Sequence, residues 1–469
     1  MNKIPLMKHT HTPTKLRPRI KTKRMPSGAN LAWKLGIAGA ALPALLTAKA
    51  QQTPAASAVV APPPKSDTLT TTVSVMAKES YDSDVFLQSQ GPLANDHSFV
   101  TIVVPSLGLK WKPCKEFWLE GSYAPELASY SSDHSEDYVA HKAALNLGGN
   151  VGTGKWETDN SINWVEGNSK GPTYYWAGPT TPGITPVPAL DGSPLRDRRD
   201  QAVYRDSFKF EQPIGDWFVR PVATAFVQDF MTQQKAVTHV AGTTSYYANY
   251  VDRNDINGGL DAGYKIQENA DVFLGYRYGA QNQAQVVNNA ANPSYSNEYQ
   301  RALVGIEGAP SKWLKINAVA GPDFRTFTGA FIPASFNKHK TKLYFDATAS
   351  IMPSTADTIA LGAKRFELPG YLGKSVLCDS IYEISWRHKF TDKFSTSVGF
   401  RAEYWDFDAP LRKEWWYGAN VSAAYNFTAH FSAEASYNYD RFISGVDALG
   451  TANWESTRHV ASLGVRYKF

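Results

Sequence analysis

The sequence predicts an all-β fold, a transmembrane up-and-down antiparallel β-barrel of about eighteen strands that follows a signal peptide. Three observations predict it: long segments in which apolar and polar residues alternate, short turns that alternate with long loops, and a chain that ends on an aromatic residue. From Leu69 onward no window offers about 18 consecutive apolar residues, so helices are not expected to cross the membrane.

Composition agrees with this fold class and excludes several others. Aromatic residues make up 13% of the chain, and its 34 glycines are not accompanied by any long helix-forming block. The net charge of +5 comes from residues 1–50, which hold ten basic and no acidic side chains; the other 419 residues carry 38 basic and 43 acidic ones. A basic nucleic-acid-binding protein is therefore not expected. Two cysteines are too few for a disulfide scaffold or a CxxC metal site.

The first fifty residues are typical of a signal peptide. A basic segment, 1–24, precedes an apolar stretch, 35–46, and the small-x-small triplet that ends it predicts cleavage after Ala48-Lys49-Ala50. The basic segment is long for this purpose, and Met25 would be a more conventional start. Residues 51–66 are rich in Ala and Pro and predict a linker, so the barrel is expected over residues 67–469.

The final segment of the chain shows the alternation most clearly. Ala461, Leu463, Val465, Tyr467 and Phe469 share one face, and small, polar or basic residues occupy the other. Such segments run for about a dozen residues, whereas strands of soluble proteins average about 5–6. They predict strand cores at 69–81, 98–111, 116–130, 138–149, 155–167, 200–212, 216–230, 254–266, 270–283, 298–309, 313–326, 341–352, 356–368, 376–390, 393–407, 413–427, 430–443 and 456–469.

Two of these strands carry a defect in the pattern. Arg220-Pro221 interrupts the seventh strand, and the alternation loses phase at Lys364-Arg365-Phe366 in the thirteenth, as a β-bulge would cause. Sixteen strands therefore remain an alternative. Tight turns such as Gly215-Asp216 and Thr428-Ala429 alternate with long loops, which places both termini on the periplasmic side of the predicted barrel.

The C-terminal residues resemble the assembly signal of bacterial outer-membrane barrels. Ser462, Gly464, Tyr467 and Phe469 reproduce its order of a polar residue, a glycine and two alternating hydrophobic residues, the last at the chain terminus. An amphipathic strand with a free edge can pair with another strand, so we expect the barrel-assembly machinery to be a partner.

Two short motifs carry a resemblance to a known family. Tyr81-Asp82-Ser83-Asp84-Val85 and Val104-Pro105-Ser106-Leu107-Gly108-Leu109 are similar to the opening hairpin of a group of β-barrel porins from bacterial outer membranes. The likeness extends loosely over residues 67–469. It implies a pore-forming barrel, and it provides no functional residues to transfer to this chain.

The phase of each strand predicts which charged residues face the interior. About eighteen strands leave a water-filled lumen, and we expect these residues to line it: Arg205, Lys209, Arg277, Arg301, Asp379, Glu383, Arg401, Glu403 and Glu434. The simplest interpretation is a generic polar interior. A sharper hypothesis is a transverse field, because the basic residues of strands six to eleven would oppose the acidic residues of strands fourteen to seventeen.

The longest loop, residues 168–199, is the third loop predicted on the outer side. It holds six prolines and the run Tyr174-Tyr175-Trp176, which would offer stacking surfaces to solutes if the loop folded inward to constrict the pore. An ordinary extracellular cap is an equally good interpretation. By phase, Trp156, Trp164 and other tryptophans near strand ends face outward, where they are expected to form the interfacial girdles.

These features favour a porin for passive diffusion of small hydrophilic solutes or ions across the outer membrane. The alternatives are a non-conducting scaffold, a polysaccharide-export barrel and, as a weaker candidate, an outer-membrane hydrolase. No spaced catalytic motif, metal-ligand set or cofactor motif is recognisable, so no enzyme and no cofactor are expected. Outer-membrane lipids are the expected surroundings, and a homo-oligomer is left open.

Overall fold

The computed structural model describes residues 68–87, 95–167, 200–231, 251–285, 293–371, 375–409, 411–444 and 455–469. The predicted signal peptide with its cleavage residues Ala48 and Ala50, the linker and the aromatic run Tyr174-Tyr175-Trp176 lie outside these ranges. The strands are β1 Thr68–Asp82, β2 Ser98–Cys114, β3 Phe117–Tyr123, β4 Glu126–Tyr130, β5 Tyr138–Val151, β6 Gly154–Glu166, β7 Gln201–Ile214, β8 Trp217–Phe230, β9 Arg253–Gln267, β10 Ala270–Gln283, β11 Asn297–Ser311, β12 Leu314–Phe327, β13 His339–Ile351, β14 Asp357–Pro369, β15 Val376–Lys389, β16 Phe394–Ala409, β17 Leu411–Asn426, β18 Phe431–Ser444 and β19 Glu455–Lys468. A 3-10 turn, His134–Glu136, precedes β5.

These strands form one closed antiparallel sheet. Each pairs with its neighbours in chain order, and β1 pairs with β19 from Ser74↔Lys468 to Asp82↔Val460, which closes the barrel. Closure pairs the strands on both sides along most of their length, so most backbone polar groups of the wall are satisfied within the wall itself. No helix in the described part of the chain has the length and apolar character needed to cross a bilayer.

Two of the nineteen strand segments belong to one crossing of the wall. β3 and β4 both pair with β2 and with β5, and only residues 124–125 separate them. Pro125 stands at this break because proline cannot donate a ladder hydrogen bond. The wall therefore has eighteen strands, as predicted, and the alternative of sixteen is wrong.

The two ends of the barrel differ in their connections. Short turns such as 152–153 and 215–216 join strands at one end, the turn end, where Thr68 and Lys468 also lie. Longer connections occupy the opposite end, the loop end. In outer-membrane barrels short turns are periplasmic, so the turn end faces the periplasm and the loop end faces the exterior.

The outward face of the wall is apolar. Its side chains alternate with inward residues along each strand and include many exposed large hydrophobic residues, among them Leu69, Val73, Leu260, Leu274, Val304, Leu343, Phe400, Val421 and Leu463. A soluble protein does not expose such a continuous apolar band. Hydrocarbon lipid is the solvent that this surface matches.

The wall departs from regularity where the sequence loses phase, at β14. Pairing between β13 and β14 ends at Phe345↔Arg365, whereas β14 pairs with β15 as far as Pro369↔Val376. The loop end of the β14–β15 hairpin therefore separates from β13. The other suspected defect, Arg220-Pro221, does not interrupt β8, which pairs with β9 through Arg220↔Asp261 and Pro221↔Leu260.

Candidate channel interior

The loop end of the β14–β15 hairpin is hydrogen-bonded to β10, which is not adjacent to it in the wall. Gln281 Nε2 on β10 donates to the backbone carbonyl of Glu367 at 2.9 Å, and Gln283 Nε2 donates to that of Gly370 at 2.7 Å. Three wall strands, β11 to β13, separate β10 from β14. Direct bonds between them require the hairpin to lean across the interior, where it narrows the barrel.

Ion pairs tie this hairpin and β16 to the part of β13 that has lost its pairing. Lys342 forms ion pairs with Glu367, at 3.0 Å, and with Asp408, and Lys340 Nζ lies 2.9 Å from Asp408. Lys340 also lies over the ring of Phe336, 4.2 Å from its centroid. Side-chain contacts thus connect β13 to β14 and β16 where β13 and β14 are not paired.

The first loop also folds against the inward face at the loop end. Val85 and Phe86 are 1% and 5% exposed and pack with Val100 and Ile102 of β2 and Tyr130 of β4. Apolar side chains on the inward face of a polar barrel need a cover, and this loop provides it. The interior is therefore narrowed at the loop end from two sides.

A buried ionic cluster fills the space between the hairpin and β10 to β13. Asp323 accepts from Arg301 Nε at 2.8 Å and from Arg325 Nη2 at 2.9 Å. Arg325 Nη1 donates further to Gln281 Oε1 at 2.7 Å and to Asn297 Oδ1 at 2.9 Å. The side chains of Arg325 and Asp323 are 0% and 3% exposed, so both ions depend on each other for their charge balance.

Tyr299 packs between the two arginines of this cluster. The Arg301 and Arg325 guanidinium carbons lie 4.1 and 4.8 Å from its ring centroid, and its hydroxyl donates to Asp255 Oδ1 at 2.6 Å. Cation–π contacts of this kind add stabilisation where water is excluded.

A second ionic network lies nearer the turn end and crosses five adjacent strands, β7 to β11. Asp261 accepts from Arg220 Nε at 3.1 Å and from Arg277 Nη1 at 2.6 Å. Arg220 also forms an ion pair with Glu307 and lies 3.6 Å from Glu211. Arg277, one of the predicted pore-lining residues, is thus neutralised locally.

The predicted acidic residues of β15 and β16 surround a single arginine. Arg401 forms an ion pair with Glu403 and lies 3.8 Å from Glu383. Trp405 Nε1 donates to Glu403 Oε1 at 2.8 Å. Asp379 is 7% exposed and interacts electrostatically with Glu403, so this side of the interior carries more acidic than basic groups.

Two arginines on the other side flank one aromatic ring. The guanidinium carbons of Arg205 on β7 and Arg253 on β9 lie 5.2 and 5.7 Å from the ring centroid of Phe226. Arg253 donates to two neutral acceptors, Gln228 Oε1 and the carbonyl of Pro369, each at 2.8 Å. Among the described residues it makes no ion pair with a carboxylate.

The remaining predicted lining residues lie lower in the barrel. Lys209 pairs with Glu157 of β6 at 2.7 Å, and both side chains are about half exposed. Glu434 is exposed on β18, opposite Gly464 of β19.

The inward and outward faces of the wall together show which solvent each of them contacts. Ion pairs join strands that are not neighbours, such as Arg220 on β8 and Glu307 on β11, so the charged face is the interior and the apolar face is the exterior. A closed sheet with hydrocarbon-compatible walls is the one strand architecture that spans a membrane. The chain is an outer-membrane β-barrel. This confirms the fold and the location that the sequence and the resemblance to β-barrel porins predicted.

Comparisons with known proteins agree in architecture and are remote in sequence. No family model matches the chain, and no curated protein matches it. Similar solved structures include the outer-membrane channel DcaP of Acinetobacter baumannii, with 11% identity and a TM-score of 0.38 over 86% of this chain and 98% of that one. Pseudomonas aeruginosa OccK2 has 10% identity and a TM-score of 0.39 over 85% and 97%. The anion-selective porin from Comamonas acidovorans has 9% and 0.32 over 86% and 100%. Similarities this distant add nothing to what the geometry of the barrel itself shows.

Three of the predicted assembly residues lie in β19, and Phe469 follows its last residue. Ser462 Oγ is 2.8 Å from Ser80 Oγ of β1, and Gly464 pairs with Lys78. The rings of Tyr467 and Phe469 contact each other at 5.1 Å and are exposed on the outward side of the turn end. An interaction with the assembly machinery stays a prediction.

Several charged residues of the interior lie outside the predicted lining set, although the alternation of their strands indicates their inward direction. Asp323 and Arg325 alternate in β12 with Phe324, which is exposed on the outward face. Arg220 was set aside as part of a strand defect, and Arg253 lies one residue before the predicted start of its strand. Each of these residues could have been placed inward by extending the alternation.

The described ranges were also compared with the ligand and nucleophile sets of metal and catalytic sites. These residues contain no group of three or more His, Cys, Asp or Glu side chains that could hold a metal ion. Cys114 is exposed, Cys378 is buried, and both are free thiols. The Asp133-His134 pair lies in a loop, where His134 Nδ1 is 3.4 Å from Asp137.

Proposed function

We propose that this barrel is a channel for the passive diffusion of small hydrophilic solutes or ions. One observation carries the proposal: eighteen strands close around an interior whose side chains are charged, while the exterior is apolar. Barrels of about 16–18 strands leave an aqueous channel, whereas about eight strands are filled by side chains. Charged residues lining such a space favour water and hydrophilic solutes over apolar ones.

The inward hairpin is the feature that would limit solute size. The loop end of β14–β15 is fixed to β9 and β10 by hydrogen bonds, and the first loop packs on the β2–β4 side. The remaining opening at the loop end lies between these two elements. The β14–β15 hairpin and the first loop thus form the proposed constriction, and the third loop is not needed for it.

The charges at this opening support the hypothesis of a transverse field, but with different basic residues from those that the sequence suggests. Arg277 and Arg301 each pair with a nearby aspartate, so their fields are compensated within a few ångströms. Arg205 and Arg253 lie on the β7–β9 side, and the acidic group around Asp379 lies on the β15–β16 side. We therefore assign the basic side of the field to Arg253, which makes no ion pair with a carboxylate among the described residues.

Reconstitution in planar bilayers tests the proposal directly. Protein comprising residues 51–469 should give discrete conductance steps in KCl, with a reversal potential that reports ion selectivity in a salt gradient. A boiled sample, which has lost the barrel, is the control. Absence of steps in correctly folded, heat-modifiable protein would contradict a channel and favour a scaffold or a gated export barrel.

The hairpin anchors give a more specific prediction. Replacing Gln281 and Gln283 together by alanine removes three hydrogen bonds to the hairpin backbone, so the hairpin should move back toward the wall and single-channel conductance should rise. The matched control is Gln300→Ala, which removes a glutamine from the outward face of β11, where it accepts from Tyr276. Equal conductance in both variants would show that the hairpin does not limit flow.

A further inference from the structure

A pair of polar residues lies on the lipid-facing side of the wall. Asn160 on β6 pairs directly with Asp206 on β7. The register is unbroken from this pair to Glu157↔Lys209, whose ion pair faces the interior. Asn160 lies three positions after Glu157 on β6, and Asp206 lies three positions before Lys209 on β7. Because successive side chains of a strand alternate between its faces, Asn160 and Asp206 point outward.

The depth of this pair places it in the apolar band. Trp156 and Trp164 lie on the same outward face of β6, toward the turn end and the loop end, and Asn160 stands midway between them in the sequence. Outward tryptophans mark the two membrane interfaces. The amide and its neighbouring carboxyl therefore lie near the middle of the hydrocarbon layer.

These groups have hydrogen-bonding capacity that the subunit leaves unused. Asn160 Nδ2 donates to the carbonyl of Leu145 at 2.8 Å and to Thr158 Oγ1 at 3.1 Å. In the part of the chain that the structure describes, neither Asn160 Oδ1 nor the Asp206 carboxyl has a partner. Lipid tails offer no hydrogen bond, so exposing both groups to them is unfavourable.

We propose that the β6–β7 face, centred on Asn160 and Asp206, binds a second copy of this chain in a two-fold dimer. Both copies insert in the same direction, so the two-fold axis must be parallel to the membrane normal. An axis that passes between β6 and β7 brings Asn160 of each copy opposite Asp206 of the other, within reach of a side-chain hydrogen bond. A protonated carboxyl of Asp206 then donates to Asn160 Oδ1 across the interface, twice per dimer.

The residues around Asn160 and Asp206 allow the barrel walls of two copies to approach each other closely. Ala225 lies beside Asp206 on β8 and contributes only a methyl group. Ile162, Tyr204 and Phe208 flank the pair on the same face and supply apolar contact area. An apolar surface around a self-complementary polar centre is what an isologous contact requires. The proposal is independent of solute transport.

The proposed dimer is tested by the subunit stoichiometry of the folded protein. Native mass spectrometry measures this stoichiometry in detergent and in lipid nanodiscs. The wild-type protein should be a dimer. Asp206→Leu should shift at least tenfold more of the protein to monomer at equal concentration, whereas Asp206→Asn should remain dimeric, because its amide can still donate to Asn160 Oδ1. Ala419→Leu, on the outward face of β17, is the matched control and should leave the dimer unchanged.

A cross-linking experiment checks the position of the axis. In a Cys114→Ser background, Ile162→Cys should form a disulfide-linked dimer on oxidation in membranes, and Ala419→Cys should not. A monomeric wild-type protein would overturn the proposal and leave lipid as the occupant of this face. An oligomer that survives Asp206→Leu, or one with three subunits, would overturn it equally.

Discussion

Neutralising Arg253 should shift the channel toward cations. The guanidinium of Arg253 lies beside the inward hairpin and has neutral hydrogen-bond acceptors and aromatic rings around it, with no carboxylate paired to it among the described residues. Asp379 interacts with it electrostatically but forms no ion pair with it, so its charge is compensated less closely than that of Arg277. In an Arg253→Gln variant the anion-to-cation permeability ratio should fall by about tenfold, the lower end of the effect of focused charge in a cleft.

The measurement is the reversal potential of single channels in a KCl gradient. Arg253→Lys is the control that separates charge from anchoring, since it keeps the positive charge and loses the two-acceptor geometry that only a guanidinium provides. Selectivity should be nearly unchanged in that variant. If Arg277→Gln shifted the reversal potential as much as Arg253→Gln, local pairing would not be what determines the field.

The strands themselves could be predicted closely from the sequence. The predicted core 270–283 coincides with β10, and 341–352 differs from β13 by at most two residues at its ends. Alternation with a period of two is a local signal, and a strand with one apolar face cannot slip by one residue without reversing every side chain. Strand number follows from counting such segments.

The position of the hairpin could not be predicted from the same pattern. The loss of phase at Lys364-Arg365-Phe366 indicated an irregularity and gave no direction for it. That direction depends on Gln281, which bonds to Glu367 across a sequence separation of 86 residues. Nothing in the local alternation of β14 encodes a partner that distant.

The pairing of the interior charges was the second property that the sequence could not predict. Parity predicts that Arg277 and Arg301 are members of one row of charge on the inward face. The field of such a row depends on whether each arginine is paired with a carboxylate in the folded barrel. Asp261 pairs with Arg277, and Asp323 pairs with Arg301. Register across two strands decides this, and register follows from the closed sheet as a whole.

Removing the carboxylate of Asp323 should cause the largest loss of stability of any single interior substitution discussed for this barrel. Asp323→Asn leaves Arg301 and Arg325 buried against each other without their shared counter-charge, and the Arg325 side chain is 0% exposed. Removing one partner of a buried ion pair costs about 3–5 kcal/mol, because the remaining charge is uncompensated. The hydrogen bonds of Arg325 to Gln281 and Asn297 remain and offset only part of this cost.

The loss is measured as the free energy of unfolding in urea, with refolding into vesicles and heat-modifiable mobility on gels as a check of the folded state. Glu120→Gln is the matched control, because Glu120 forms an ion pair with Lys110 in which both side chains are about half exposed. Exposed pairs contribute about 0–1 kcal/mol, so this variant should unfold at nearly the wild-type urea concentration. Similar losses in both variants would show that the cluster around Asp323 is hydrated, in which case the space between the hairpin and β10 to β13 would itself be accessible to water and small ions.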